Sequence, residues 1–278
     1  MKDLTNELKE LYIKRFGEKF TKNLDPIQKL QIDFYKMEHH INSPSRCNLC
    51  YCFDKKMRQD LPFWLGNIQK DFMFIAQDAG KGYGDDFNSV FSIHTAYLDV
   101  IKYSQNKKHG NYLNYLKKLV FLEDNESENK FFFKIFLTDL VKCAFTTEKI
   151  MKINFEKNND DKFYVKCHED VFSEISAVKP KIIYLFGQKP RDSIKDLLSN
   201  KYKENKIKIC FSFEVTINKR RKTSIQIFTH PAFKEIHFVS VPQLGNNRFS
   251  GECLNSLFNI IDTELKPRLK KYIINNNN

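Results

Sequence analysis

The chain has 278 residues, 41% hydrophobic and 29% charged, with 26 Phe and 12 Tyr. Such a chain can bury a core, which excludes a wholly disordered protein, and its length allows one large domain or two small ones. Lys and Arg number 46 against 34 Asp and Glu, a net charge of +12; this suits a polyanion partner, although an AT-rich genome produces a similar excess of Lys.

No apolar run reaches the ~18–20 residues of a membrane span, and the start, Met1 to Thr5, lacks a signal-peptide core. The expectation is a cytoplasmic protein without a membrane partner. Its seven Cys are then read as buried, metal-bound or reactive rather than as disulfides.

Residues 1–42 read as a helical N-terminal extension, with Leu8, Leu11, Tyr12 and Phe16 on one face and Pro26 opening a second helix. Phe72 to Ile75 is a short buried strand, followed by a Gly-rich loop from Gly80 to Gly84. Ile93 to Tyr103 reads as a helix, and Phe133 to Thr138 as a second strand. A polar insertion covers Asn154 to Lys162, and a helix from Glu169 stops before Pro180. Ile182 to Phe186 is a third strand, closed by Gly187. Residues 207–216 and 223–229 alternate as a hairpin around a basic tip, Lys219-Arg220-Arg221-Lys222. Ile236 to Val241 is a further strand, and Ser250 to Leu265 closes the domain as a helix. Residues 266–278 form a basic, Asn-rich tail, its last four residues expected to be disordered.

Strands separated by helices imply an α/β fold with a mainly parallel sheet. Sites in such sheets lie beyond the carboxyl ends of the strands, which singles out the loops after Ile75, Thr138 and Phe228.

Cys47-Asn48-Leu49-Cys50 is a C-x2-C knuckle, and Cys143 and Cys167 flank the polar insertion. Four thiolates from two distant segments can close a zinc site or hold an iron–sulfur cluster. Cys52 is an alternative ligand, and Cys143 and Cys167 can equally be ordinary buried cysteines. Cys210 and Cys253 read as core.

Four stretches stand in a telling order: Ala76-Gln77-Asp78-Ala79-Gly80, Leu137 to Cys143, Cys167 with Pro180 to Gly187, and Thr229-His230-Pro231-Ala232. Together they resemble the uracil-DNA glycosylase superfamily, and its iron–sulfur (family four) branch in particular. The resemblance covers residues 46 to about 262. It implies a single domain over residues 43–265, a three-layer α/β/α sandwich on a central, mainly parallel four-stranded sheet. It also implies a 4Fe–4S cluster on Cys47, Cys50, Cys143 and Cys167, with zinc as the alternative, and a monomer that binds double- or single-stranded DNA.

The resemblance assigns roles residue by residue. Asp78 would orient a water and offset the positive charge of an oxocarbenium-like sugar. Gln77 would help bind the base, and Phe91, thirteen residues beyond Asp78, would stack on it once flipped out. His230 would donate to the developing base anion. Asp139 stands where the family has Asn. An ionised Asp only accepts hydrogen bonds, so a base other than uracil becomes credible. Val241 to Gly251 also resembles the leaving-group loop of the prototype uracil glycosylases, with Val241 replacing its His and Leu244 as the wedge. Lys219, Arg220, Arg221, Lys222 and Arg248 are candidate phosphate contacts. Each residue also has a plain reading: Asp78 and Asp139 as turn caps, Phe91 as core, His230 as a surface turn residue, the cations as solvated loop charges.

The expected function is hydrolysis of the N-glycosidic bond of uracil or another aberrant base in DNA. The alternatives are a glycosylase-like, cluster-bearing protein that binds nucleic acid without excision, and a hydrolase of free nucleosides.

Overall fold

A computed structural model describes residues 7–8, 10–11, 58–59, 63–64, 70–78, 114–121, 131, 133–141, 143–144, 171–202, 206–218, 221–243 and 251–275. At residues 58–59, 63–64, 77–78, 141, 143–144, 217–218, 221, 251 and 273–275 the description is of the backbone.

The sheet is built around apolar runs. The strands are β1 (Arg58–Gln59), β2 (Phe63–Trp64), β3 (Phe72–Asp78), β4 (Ile135–Val141), β5 (Cys143–Ala144), β6 (Ile182–Phe186), β7 (Lys208–Asn218), β8 (Arg221–Thr229) and β9 (His237–Val241). Every residue of β6 and β9 is buried, as expected of strands covered on both faces. The main sheet has seven strands among the described residues, in the order β2-β4-β3-β6-β9-β8-β7. Its centre, β4-β3-β6-β9, is parallel, whereas β2 and the β7–β8 hairpin are antiparallel. The α/β class agrees with expectation; the sheet is mixed and larger than the four strands foreseen. The hairpin supplies two of the three extra strands, because β8 pairs with β9, and β2, paired with β4, supplies the third.

The described helices are α1 (114–119), α2 (171–178), α3 (Gln188–Lys201), α4 (Gly251–Ile260) and α5 (Lys266–Asn275). A π-helical segment, Ile261–Leu265, joins α4 to α5. Alternation along the strands divides the core into two clusters. Phe72, Phe74, Tyr184 and Phe186 pack with α1, α4 and α5, and Met73, Ile75, Ile183 and Leu185 pack with α2 and α3. The result is helices on both faces of the sheet.

Described residues near both ends of the chain belong to this core. Leu8 is fully buried in the second cluster, with Leu11 packed against it. Leu269 of α5 is fully buried in the first cluster, and Tyr272 stacks on His237 at 4.2 Å. The stretch foreseen as a tail from residue 266 therefore begins with a packed helix, α5. Asp262 ties this region to α1: it accepts from Lys118 and, at 2.7 Å, pairs with Lys266. Burial would raise its pKa, but the hydrogen bonds from Lys118 and Lys266 outweigh that and hold it below the usual carboxylate range. No described helix is long and apolar enough to cross a membrane.

The burial of Leu8 carries a direct expectation. Leu8→Ala should lower the unfolding free energy by about 2–4 kcal/mol in a urea titration. An unchanged midpoint would mean that the N-terminal helix does not dock.

Lys70, at the foot of β3, is fully buried and donates to the Phe133 carbonyl at 3.0 Å. Burial lowers its pKa from 10.5 to about 8. Below pH 8 the lysine is protonated in folded and unfolded chains alike, and its desolvation cost is fully present. From there to about pH 10.5 the unfolded chain holds more protons, so stability rises with pH. A gain approaching about 3 kcal/mol is expected across that window, and it should vanish in Lys70→Met. Denaturation midpoints at several pH values would check this.

Candidate functional site

The parallel centre points the carboxyl ends of β4, β3, β6 and β9 at one edge. β3 ends at Asp78, whose register partner is Val141. Asp139 sits opposite Ala76, so its backbone lies one strand across and two residues below Asp78. That corresponds to roughly 8 Å between the two backbone positions. These two predicted positions are brought together by the sheet.

Asp139 is 2% exposed and its Oδ2 atom is buried without a hydrogen bond, although the residue has other interactions. It lies inside β4, which leaves no place for the turn-capping role. On the opposite face of the same strand, Thr138 donates to Glu174 of α2 at 2.8 Å. Glu174 is itself fully buried. This pair pins β4 to α2 directly behind Asp139.

β6 and β9 end in a knit junction. Gly187 has φ 91°, a conformation that side chains resist, so glycine is required where β6 turns into α3. Its N–H donates to the Val241 carbonyl at 2.8 Å. The next carbonyl, that of Pro242, accepts from the Tyr115 hydroxyl of α1 at 2.8 Å. Tyr115 is fully buried and packs on Phe258 and Phe186. Two successive carbonyls are thus held as the chain leaves β9. Gln243, the next residue, is exposed. A Cβ placed on Gly187 would lie 3.6 Å from both Cβ and Oε1 of Gln243. Sequence reasoning singled out this segment for Leu244 and passed over Gln243; the available signal was its position two residues beyond the end of a strand.

His230 lies elsewhere. Phe228 pairs with Phe238 near the start of β9, and β8 runs antiparallel to the central strands. His230 therefore sits at the amino-terminal edge of the sheet, roughly 23 Å below Asp78 along the strand direction. It is 1% exposed, not a surface turn residue. Its Nδ1 accepts from the Ala232 N–H at 3.2 Å, capping the 3-10 turn Pro231–Phe233. Tyr202 packs on its ring at 5.3 Å. The expected partnership with Asp78 is thus not formed. The loop after Phe228 was singled out on the premise of a parallel strand, and β8 is antiparallel.

The same antiparallel direction has the opposite effect on the basic tip. Gln226 pairs with Ser240, one residue before β9 ends, whereas β8 begins five residues earlier at Arg221. The strand overshoots the carboxyl edge by roughly 13 Å. α3 braces this hairpin: Arg191 donates to Ser224 at 3.2 Å and Lys195 to Gln226 at 2.8 Å. Lys222 is exposed and pairs with Glu214 at 3.1 Å. For Arg221 the backbone position is described, and Lys219, Arg220, Leu244 and Arg248 lie outside the described residues.

Of the proposed metal ligands, Cys143 is described through its backbone, and Cys47, Cys50 and Cys167 lie outside the described residues, as does Phe91. For Gln77 only its place in β3 is described. In the small second sheet Cys143 pairs with Gln59. Gln59 follows Cys52 by seven residues and Cys50 by nine, spans of at most about 25–32 Å. Four cysteine thiolates are, by their chemistry, a donor set for a cluster or zinc, but the described residues place only the backbone of Cys143. Among the described residues no three His, Cys, Asp or Glu side chains converge as a metal site. Cys210 is exposed and Cys253 half-buried, so neither is the core residue expected. A bulge in β7 at Cys210 turns it out of the ladder.

The chain matches no family model and no curated protein.

The separation of His230 from the carboxyl edge has a measurable consequence. His230→Ala should cost about 1–2 kcal/mol of stability through the lost cap and cavity. Affinity for any ligand held at the carboxyl edge, read by fluorescence anisotropy, should stay within twofold of the parent; a loss at unchanged fold would place His230 against that ligand.

Proposed function

We propose that the protein is a DNA glycosylase that hydrolyses the N-glycosidic bond of a deaminated or otherwise aberrant base. One observation carries the reading: the register gathers Asp78, Asp139, the end of β9 and the overshooting basic hairpin at a single edge. The +12 net charge is consistent with a polyanion bound there.

In this reading Asp78 orients the attacking water and offsets charge on the sugar. Asp139 faces the base edge, and Gln77 and Phe91 help hold the base. Arg221, with Lys219, Arg220 and Arg248, contacts phosphates. Leu244 fills the vacated stack. Cys47, Cys50, Cys143 and Cys167 would hold a 4Fe–4S cluster, with zinc as the alternative, which would order the flank; hydrolysis needs no redox step.

The displaced His230 favours a second reading, a glycosylase-like fold that binds nucleic acid without cutting the bond. One experiment separates the two. Single- and double-stranded oligonucleotides carrying uracil, hypoxanthine or xanthine are incubated with cluster-loaded protein and then treated with alkali. Strand cleavage at one of these bases is expected, with a fall of ~10²-fold or more in Asp78→Asn. Cleavage of none by folded, metal-loaded protein would leave binding as the function. Asp139→Asn should raise uracil release by roughly tenfold, because its amide both donates and accepts. An unchanged substrate profile would remove Asp139 from base reading.

A further inference from the structure

The glycosylase reading lacks a donor to the leaving base. Bond cleavage leaves the C1′–N electron pair on the base, and an anion forming in a closed site needs a hydrogen-bond donor already in place. His230 stands at the wrong edge. The other expected source, the segment after β9, carries Val241 where the prototype has His. Val241 is apolar and 1% exposed, packed in the first core cluster.

Resting on that reading, we infer that Gln243 supplies the missing donor. Val241 and Pro242 are buried, and Gln243 is the first exposed residue beyond β9. Its backbone is fixed on the amino-terminal side by the Gly187 N–H on the Val241 carbonyl and the Tyr115 hydroxyl on the Pro242 carbonyl. Such bracing keeps a donor in position before the reaction, which gives a hydrogen bond its catalytic value. The Gln243 side chain lies beside the β6–α3 turn: a Cβ on Gly187 would stand 3.6 Å from its Cβ and Oε1, an ordinary contact. Gln243 and Asp139 flank the carboxyl edge from β9 and β4, three strand spacings or roughly 14 Å apart. Asp78 leaves from β3, between them. A base lying across this edge would therefore lie between the backbone positions of Asp139 on β4 and Gln243 beyond β9.

The chemistry balances without proton transfer from the amide. The C1′–N bond breaks with its electron pair on the base, and water adds to C1′. One water proton passes through Asp78 to solvent, and the base anion takes a proton from solvent. Gln243 donates a hydrogen bond throughout and keeps its protons, as a carboxamide must. Tyr115 acts through Gln243 and is a positioning residue.

The test is single-turnover excision of the preferred base from the panel above, compared with its ring-fluorinated analogue. Fluorine makes the leaving base more acidic, so its anion depends less on a donor. Gln243→Ala should slow excision of the natural base by ~10²-fold, with oligonucleotide affinity within threefold of the parent. The fluorinated base should be slowed at least tenfold less. Gln243→Glu, which cannot donate when ionised, should behave like Gln243→Ala. An equal slowing of both bases would mark Gln243 as merely structural and overturn the inference. So would a Gln243→Ala rate within threefold of an active parent. A parent inactive on every substrate would instead sink the glycosylase reading, and this inference with it.

Discussion

The parallel pairing of β4, β3, β6 and β9 is the constraint from which the rest follows. Parallel strands share one direction, so their carboxyl ends leave the sheet at one edge. Asp78, Asp139, Gly187 and Gln243 are far apart in sequence and come to one edge through that pairing. The core enforces it. Residues of each central strand divide between two apolar clusters, so a one-residue slip in register would exchange the two faces.

Around this edge the helices act as braces. α1 sends Tyr115 to the Pro242 carbonyl and is itself held by Lys118 on Asp262 and by the Tyr184 hydroxyl on the Leu119 carbonyl. α2 fixes β4 through the buried Thr138–Glu174 bond. α3 carries Arg191 and Lys195 across to the hairpin, so β8 is a tethered ribbon. Polar contacts of this kind cost desolvation, and here each is satisfied by a partner on another element. Stability and site geometry therefore draw on the same bonds.

The two edges of the sheet divide the labour. The amino-terminal edge holds Lys70, His230 and His237, all buried. Lys70 donates to a main-chain carbonyl, His230 caps a turn, and His237 stacks on Tyr272, with burial lowering its pKa. These are structural employments of titratable groups. The carboxyl edge carries an exposed amide and an overshooting basic ribbon, features suited to a charged partner.

By itself the sequence determined the α/β class, the main strands and the hairpin. Continuous apolar runs such as Ile182 to Phe186, and alternation in 223–229, are local signals that survive without tertiary context. It also nominated Asp78 and Asp139, which lie on adjacent strand ends. Only the tertiary structure decided the direction of β8, because antiparallel addition to β9 is a long-range pairing that no local pattern encodes. That one direction sent His230 to the far edge and the basic tip to the near one. The burial of Leu8 and Leu269 was likewise invisible: a polar, amphipathic helix reads as an appendage until the surface that covers its apolar face is known.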